Sequence, residues 1–297
     1  VNASTTFSSV DFSVSSASSV AVNAPLAANK VDLTGDNFVS VASNITGNSR
    51  VRLYANTFGT ATGNTDGIII GNNAQVTTTN NGDIVIVGYG GAGSGNNNVG
   101  VILSAGTLVS ANGTGNVTIT GTGGSGGGSG NFGIDLNGSV TSGSGDISLN
   151  GTYGDLGTSK TNSNGIVIFV GSTLSTTGNV NITATGGTTS SSEALYLDAA
   201  ITAGTNKSVT VTADSVWIDI NGSISAASGT VAFATRSAGT GVNLGGNDVL
   251  SGSLMLGLTQ NELTSVTAGT ISIGNANTGA ATVSNAITIT PNLQLTS

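Results

Sequence analysis

A strand-turn-strand unit recurs down the middle of this chain at a nearly constant period. Gly67-Ile68-Ile69-Ile70 leads to Gly82-Asp83-Ile84-Val85-Ile86, and Gly100-Val101-Ile102-Leu103 leads to Gly115-Asn116-Val117-Thr118-Ile119. Gly133-Ile134-Asp135-Leu136 leads to Gly145-Asp146-Ile147-Ser148-Leu149, and Gly165-Ile166-Val167-Ile168 leads to Gly178-Asn179-Val180-Asn181-Ile182. The opening glycines are 33, 33 and 32 residues apart. A fixed period of this size belongs to stacked supersecondary units, each too small to bury its own apolar face. The expected fold is therefore all-β: one continuous parallel β-helix over residues 1–297 with mostly three-sided coils.

Composition supports strands and not disorder. Only 7% of the chain is charged and 47 residues are Gly, but the 37% hydrophobic content is spaced in alternation, which disordered chains lack. Val, Ile and Thr fill the strand-like segments, as pleated surfaces favour. The nearest approach to a helix is about one turn at Thr259-Gln260-Asn261-Glu262-Leu263.

Coil length divides the chain into three zones. Residues 1–66 carry short coils around Val10-Asp11-Phe12, Val31-Asp32-Leu33 and Val51-Arg52-Leu53. Residues 67–193 carry the long repeats, and residues 194–297 shorten again through Ala194-Leu195-Tyr196-Leu197 and Val216-Trp217-Ile218. The extra residues of the long coils follow the second strand, at 88–98, 121–131, 151–163 and 184–192, and read as a ladder of flexible, solvated, Gly-rich loops along one edge. Strands stack about 4.8 Å apart, so roughly eleven or twelve coils make a rod about 55 Å long.

Alternation assigns faces. Ile68/Ile70, Val101/Leu103, Ile134/Leu136, Ile166/Ile168, Leu195/Leu197 and Ile218/Ile220 are expected in the core. The Gly-Asp and Gly-Asn pairs mark corners, with Asp83 and Asp146 alternating with Asn116 and Asn179 so that no two acids meet on adjacent coils. The C-terminal Ile287-Thr288-Ile289-Thr290-Pro291 reads as a further strand and not as a lid. Ile287, Ile289, Leu293 and Leu295 are thus candidates for an axial stacking edge, because uncovered coil ends expose ladder groups. Such a chain is expected to continue into a longer polypeptide, to be capped by a partner, or to associate end to end. It starts at Val1 without a Met, which reads as a processed product or a segment.

Several function classes conflict with the composition. The net charge is −8 with six basic residues, Lys30, Arg50, Arg52, Lys160, Lys207 and Arg236, too few and too scattered to neutralise nucleic-acid phosphates or bind anionic lipid. No apolar run reaches the roughly 20 residues of a membrane-spanning helix. Without His or Cys, the commonest general base and thiolate chemistry are both missing. The fourteen acids are dispersed, and no catalytic set emerges. No cofactor motif is found either: Gly121–Gly128 lacks the Lys-Ser/Thr and the helix of a phosphate loop. Gly130-Asn131-Phe132-Gly133-Ile134-Asp135-Leu136 approaches a calcium-roll repeat but occurs once, so no metal site is expected.

One outward face stands apart. Tyr196 and Trp217 share it with Ile69, Ile102, Val167 and Phe169, and Asp135, Asp198 and Asp219 fall at outward positions of the same strands. Phe169, Tyr196, Asp198, Trp217 and Asp219 are therefore the candidate ligand or partner face. Aromatic rings stack on sugars while carboxylates accept hydroxyl hydrogen bonds; a contiguous apolar row also suits a protein contact. The chain's own loops covering the face is the third possibility.

The stretches Gly-Asn-Val-Thr-Ile-Thr-Gly-Thr-Gly-Gly at 115–124, Gly-Asn-Val-Asn-Ile-Thr-Ala-Thr-Gly-Gly at 178–187 and Gly-Leu-Thr-Gln-Asn-Glu-Leu at 257–263 carry a family likeness. With the Val266–Gly274 stretch and its continuation through Asn275–Gly279 to Ile287, they resemble filamentous-haemagglutinin-like bacterial exoproteins over roughly residues 67–297. The resemblance implies a right-handed parallel β-helix secreted across a Gram-negative outer membrane to the cell surface, serving adhesion, biofilm or surface-layer formation. Surface glycans or other surface proteins are the partners it implies. The amino-terminal secretion domain of such proteins is not recognisable.

Overall fold

The computed structural model describes residues 1–7, 9–71, 73–154, 162–189 and 191–297. Lys160 and much of the expected loop at 151–163 lie outside them. The chain is a parallel β-solenoid, with three rows of strands running along one axis and a single helix, Gln260–Thr264, among the described residues.

The front row stacks Ser19–Val22, Phe38–Val41, Ile68–Ile70, Val101–Leu103, Ile134–Leu136, Ile166–Ile168, Leu195–Leu197 and Val216–Ile218 in unbroken parallel register. The back row runs from Phe12–Ser16 through Asp83–Tyr89, Val117–Thr122, Ile147–Thr152, Val180–Thr185 and Ser208–Thr212 to Asn292–Leu295. Between them lies a middle row that includes Gln75–Thr78, Leu108–Ala111, Ser139–Ser142, Thr173–Ser175 and Ala200–Ala203. The segment that reads as a polar corner from sequence is this third strand. It carries one large inward residue per coil, Val76, Val109, Val140, Leu174 or Ile201, too few to show an alternating pattern. Leu26–Gly35, Ile45–Ala55, Ser223–Ala234 and Val266–Ile273 each serve both middle and back rows in one long strand; both Leu26–Gly35 and Ser223–Ala234 shift register part-way along their pairing with the next coil.

Inward columns of Val, Ile and Leu from all three rows form one continuous core. The expected core residues are buried with one exception. Ile220 is 92% exposed, because the chain turns at Asp219: Gly222 N–H donates to the Asp219 carbonyl and Ile220 N–H to the Asp219 carboxylate.

The corners are tied by a side-chain ladder. Asp83 accepts from Asn116 N–H at 2.8 Å and from Asn116 Nδ2 at 3.2 Å, and Asn116 Oδ1 accepts from Asp146 N–H at 2.8 Å. Asp146 accepts likewise from Asn179, and Asn179 from Ser208. Alternating acid with amide gives each carboxylate a side-chain donor from the next coil where another acid would repel it.

The Gly-rich loops expose Ala92, Ser94, Asn96, Asn97 and Ser125 to solvent, but they are not independent of one another. Gly91, Ala92 and Gly93 donate from the backbone to Thr65, Ala61 and Gly63, so the loop stack already begins with residues 56–66, inside the zone of short coils. Asn98 Nδ2 clamps the Gly93 and Gly95 carbonyls, and Asn131 Nδ2 clamps Gly126 and Gly128 one coil later. Asn131 Oδ1 takes Asn98 N–H, and both asparagines are buried. Glycine is required by close approach: a Cβ on Gly126 would lie 1.5 Å from the Gly93 carbonyl oxygen. The opening glycines form the neck of each loop for the same reason. A Cβ on Gly133 would come within 2.4 Å of Thr152 N, and one on Gly121 within 2.0 Å of the Gly133 oxygen.

Candidate functional site

The aromatic face exists as a column on the front row. In register, Asp135 neighbours Val167, Val167 neighbours Tyr196, and Tyr196 neighbours Trp217. Phe169, Asp198 and Asp219 follow these strands at equivalent positions, each N–H donating to the preceding coil. The Phe169 and Tyr196 rings lie 6.3 Å apart and tilted; Tyr196 and Trp217 lie 5.7 Å apart, edge to face, the arrangement ring quadrupoles favour. Tyr196 OH donates to Asp219 Oδ2 at 2.6 Å. Burial, and then the bonded Asp219 carboxylate, hold the Tyr196 phenol well above its ordinary range. Asp198 accepts from both the backbone and the side-chain amide of Asn221.

The face is not uniformly open. Val167 is only 3% exposed, whereas Trp217 is 44% exposed. Asp135 accepts from Asn137 Nδ2 at 2.5 Å, but burial together with the neighbouring Asp66 pushes its carboxyl up to about 6. Burial also raises Asp66, against the hydrogen bond it accepts from Val99 N–H. Among the described residues, no three His, Cys, Asp or Glu side chains are grouped to hold a metal ion.

Trp217 and Asp219 open into a cleft of about 740 Å³ whose other walls include Glu193, Ile220, Asp248 and Glu262. Its origin is an insertion in the coil sequence. After Ser223–Ala234 the chain forms Gly241–Leu244 in the next coil, then reverses through a hairpin closed by Val249 and Met255. Met255–Leu258 comes back alongside Gly241–Leu244, on the side facing Val216–Ile218, while Ala281–Val283 pairs on the other side. The middle and back rows meanwhile pass directly from Ser223–Ala234 to Val266–Ile273. The front therefore holds one strand more than the rows behind it. At about 4.8 Å per strand this surplus has no matching coil to support it, and the front row ends at Val216–Ile218.

Two carboxylates cap the edge so created. Asp248 Oδ2 accepts Val216 N–H at 2.8 Å and its Oδ1 accepts Gly257 N–H at 2.6 Å. Glu262 Oε1 accepts Ile218 N–H at 3.1 Å, while its Oε2 accepts Thr259 N–H and Oγ1. The Thr259 N–H bond to Oε2, with Glu262 N–H donating back to Thr259 Oγ1 at 3.3 Å, makes the capping box of the Gln260–Thr264 helix. The N–H groups of Val216 and Ile218 thus meet carboxylates where earlier coils offer the next strand's carbonyls. Burial pushes Asp248 up to about 8 against its two N–H donors, and raises Glu262 in the same way. Their oxygens are engaged by the chain's own donors, so both act as structural caps.

The expected face is thus brought together, with a cleft at its end that sequence reading missed. Asp248 sits in an ordinary turn run, Gly245-Gly246-Asn247-Asp248. Thr259 and Glu262 do carry a legible capping signature, but nothing local says that Glu262 also reaches Ile218. The axial candidates divide. Leu293 and Leu295 continue the Ile271/Ile273 columns in the last coil and are 37% and 47% exposed. Ile287 and Ile289 lie outside any strand, contrary to the reading of 287–291 as one, and pack half-buried against the core. The Gln260 side-chain amide takes the place of a ladder partner there, accepting Thr288 N–H at 2.6 Å and donating to the Thr288 carbonyl at 2.9 Å.

No family model, no curated protein and no solved structure matches the chain. No helix among the described residues is long and apolar enough to cross a membrane.

Proposed function

We propose that this chain is the rigid shaft, or a filament subunit, of an extracellular bacterial surface protein of the filamentous-haemagglutinin-like kind, working through stiffness and repeated surface contacts and not through catalysis. The observation that supports this reading is the back row of eleven strands in continuous parallel register, about 50 Å long, above a single core. Along its axis every coil hydrogen-bonds to the next. The exposed Leu293 and Leu295 present core-type side chains on the axial face of the last coil, the surface through which a further coil or a second copy would extend the rod. Electron microscopy of the purified chain tests it. Filaments repeating at about 50 Å, abolished by Leu293→Lys with Leu295→Lys, are expected of a subunit. Short isolated rods would retain the shaft and remove self-assembly, and particles without rod shape would overturn both.

A second reading, a carbohydrate-binding module, is favoured by the Phe169–Tyr196–Trp217 aromatic run ending at a carboxylate-lined cleft. Trp217→Ala should abolish glycan retention and leave the circular dichroism spectrum unchanged; undiminished retention would remove this reading.

A further inference from the structure

The cleft beside Val216–Ile218 has a chemical character of its own. Its volume of about 740 Å³ falls in the range that encloses a small ligand. Trp217 and Ile220 offer exposed apolar surface at one wall. Asn247, Thr259, Asn261 and Thr264 supply hydroxyl and amide groups. Among the described residues four acids line it, Glu193, Asp219, Asp248 and Glu262, and neither Lys nor Arg does. Asp248 and Glu262 are committed to the strand edge, as shown above. Asp219 has one chain donor on each oxygen, Tyr196 OH and Ile220 N–H, which leaves it acceptor capacity. Glu193 makes no hydrogen bond or ion pair among the described residues.

We propose that this cleft binds a glycan built of sugars bearing free amino groups: the Trp217 indole takes the apolar face of one pyranose ring, and Glu193 with Asp219 takes its ammonium. The proposal rests on the carbohydrate reading and adds the substrate class to it. Charge decides that class. Uronate, sulfate or phosphate groups would enter a site lined by acids with no counter-charge among the described residues, whereas an ammonium gains from Glu193 and Asp219, the two whose oxygens keep acceptor capacity, and from the indole face. The neutral groups along the walls then meet the sugar hydroxyls.

The test is isothermal titration of the whole chain with five probes: hexamers of β-1,4-linked glucosamine, of N-acetylglucosamine, of glucose and of galacturonic acid, and spermine. The glucosamine hexamer should bind about tenfold or more tighter than either neutral hexamer, and the galacturonate hexamer not at all. Trp217→Ala and Glu193→Gln should each weaken it about tenfold with unchanged thermal unfolding. Equal affinity for the glucose hexamer would overturn the amine selectivity while leaving sugar binding intact. Spermine binding as tightly as the glucosamine hexamer would overturn the sugar half, since a bare cation would then suffice. Retention of no hexamer would overturn both this proposal and the carbohydrate reading.

Discussion

The long coils between residues 67 and 193 and the coils after Val216 both absorb extra chain, and they do so in opposite ways. In the long coils the surplus leaves through a glycine neck and stacks on its counterpart in the next coil, so the three rows of strands are undisturbed. After Gly241–Leu244 the surplus contains Met255–Leu258, a segment apolar enough to be buried, and it enters the front beside an existing strand. A loop that stacks outside the core costs the core nothing. A strand inserted in one row alone breaks that row's register with the others, and the broken edge needs new acceptors. The lesson is that a solenoid tolerates insertions of similar length differently according to whether they can form a ladder.

The contrast can be broken at its glycines first. Gly133→Val should cost about 3 kcal/mol, because its Cβ would press on backbone atoms of both adjoining coils. Gly71→Ala, whose Cβ would meet nothing nearer than 3.7 Å, should move stability by less than about 0.5 kcal/mol. Equilibrium denaturation decides; equal effects would mean that the necks are not held by close approach.

At the inserted strand, Glu262→Ala strips acceptors from Ile218 and Thr259 and should cost about 2 kcal/mol. Hydrogen exchange should show the Ile218 amide losing protection while Ile134 and Ile166 keep theirs. Uniform loss along the front row would deny the edge its separate status.

Acidity should sharpen the comparison further. Asp66, Asp135, Asp248 and Glu262 all hold protons more tightly in the folded chain than their ordinary values allow, chiefly through burial. Between about pH 4 and 8 the folded state then binds more protons than the unfolded state, so stability falls as pH rises through that window. Thermal unfolding from pH 4.5 to 8.5 should show this, with a smaller slope in Asp248→Asn. A stability that rises with pH would mean that the edge carboxylates are ionised throughout and held so by their N–H donors.

The smallest effect belongs to the corners. Asn116→Asp places a third acid between Asp83 and Asp146 and should cost up to about 1 kcal/mol at low ionic strength, shrinking as salt is added. Thermal unfolding at two salt concentrations reads it. A salt-independent change would mean that the amide hydrogen bonds and not charge alternation are what the corner needs.

The strand period, the inward columns of the front and back rows and the one-turn helix at Thr259 were legible in the chain, because alternation and repetition are local patterns. Three-sided coils were expected, but the residues that form the middle row were not legible, since a strand with one large inward residue between polar neighbours looks like a turn. That the loops stack on one another was not legible for a related reason. Gly and Asn favour both free loops and tight stacking, and only the approach of Gly126 to Gly93 separates the two. The aromatic face was found by alternation at Tyr196 and Trp217. The cleft was not, because Asp248 and Glu262 reach residues 32 and 44 positions away.

By itself the sequence determined that this chain stacks as a parallel solenoid, since a 33-residue period of short apolar strands has no other way to bury its core. Where that stacking fails was decided only in three dimensions. Whether Met255–Leu258 becomes a loop, a new coil or a wedge depends on the spacing of strands already in place around it. The site follows from that mismatch, because unpaired N–H groups at a sheet edge must find acceptors, and here the acceptors line a cleft.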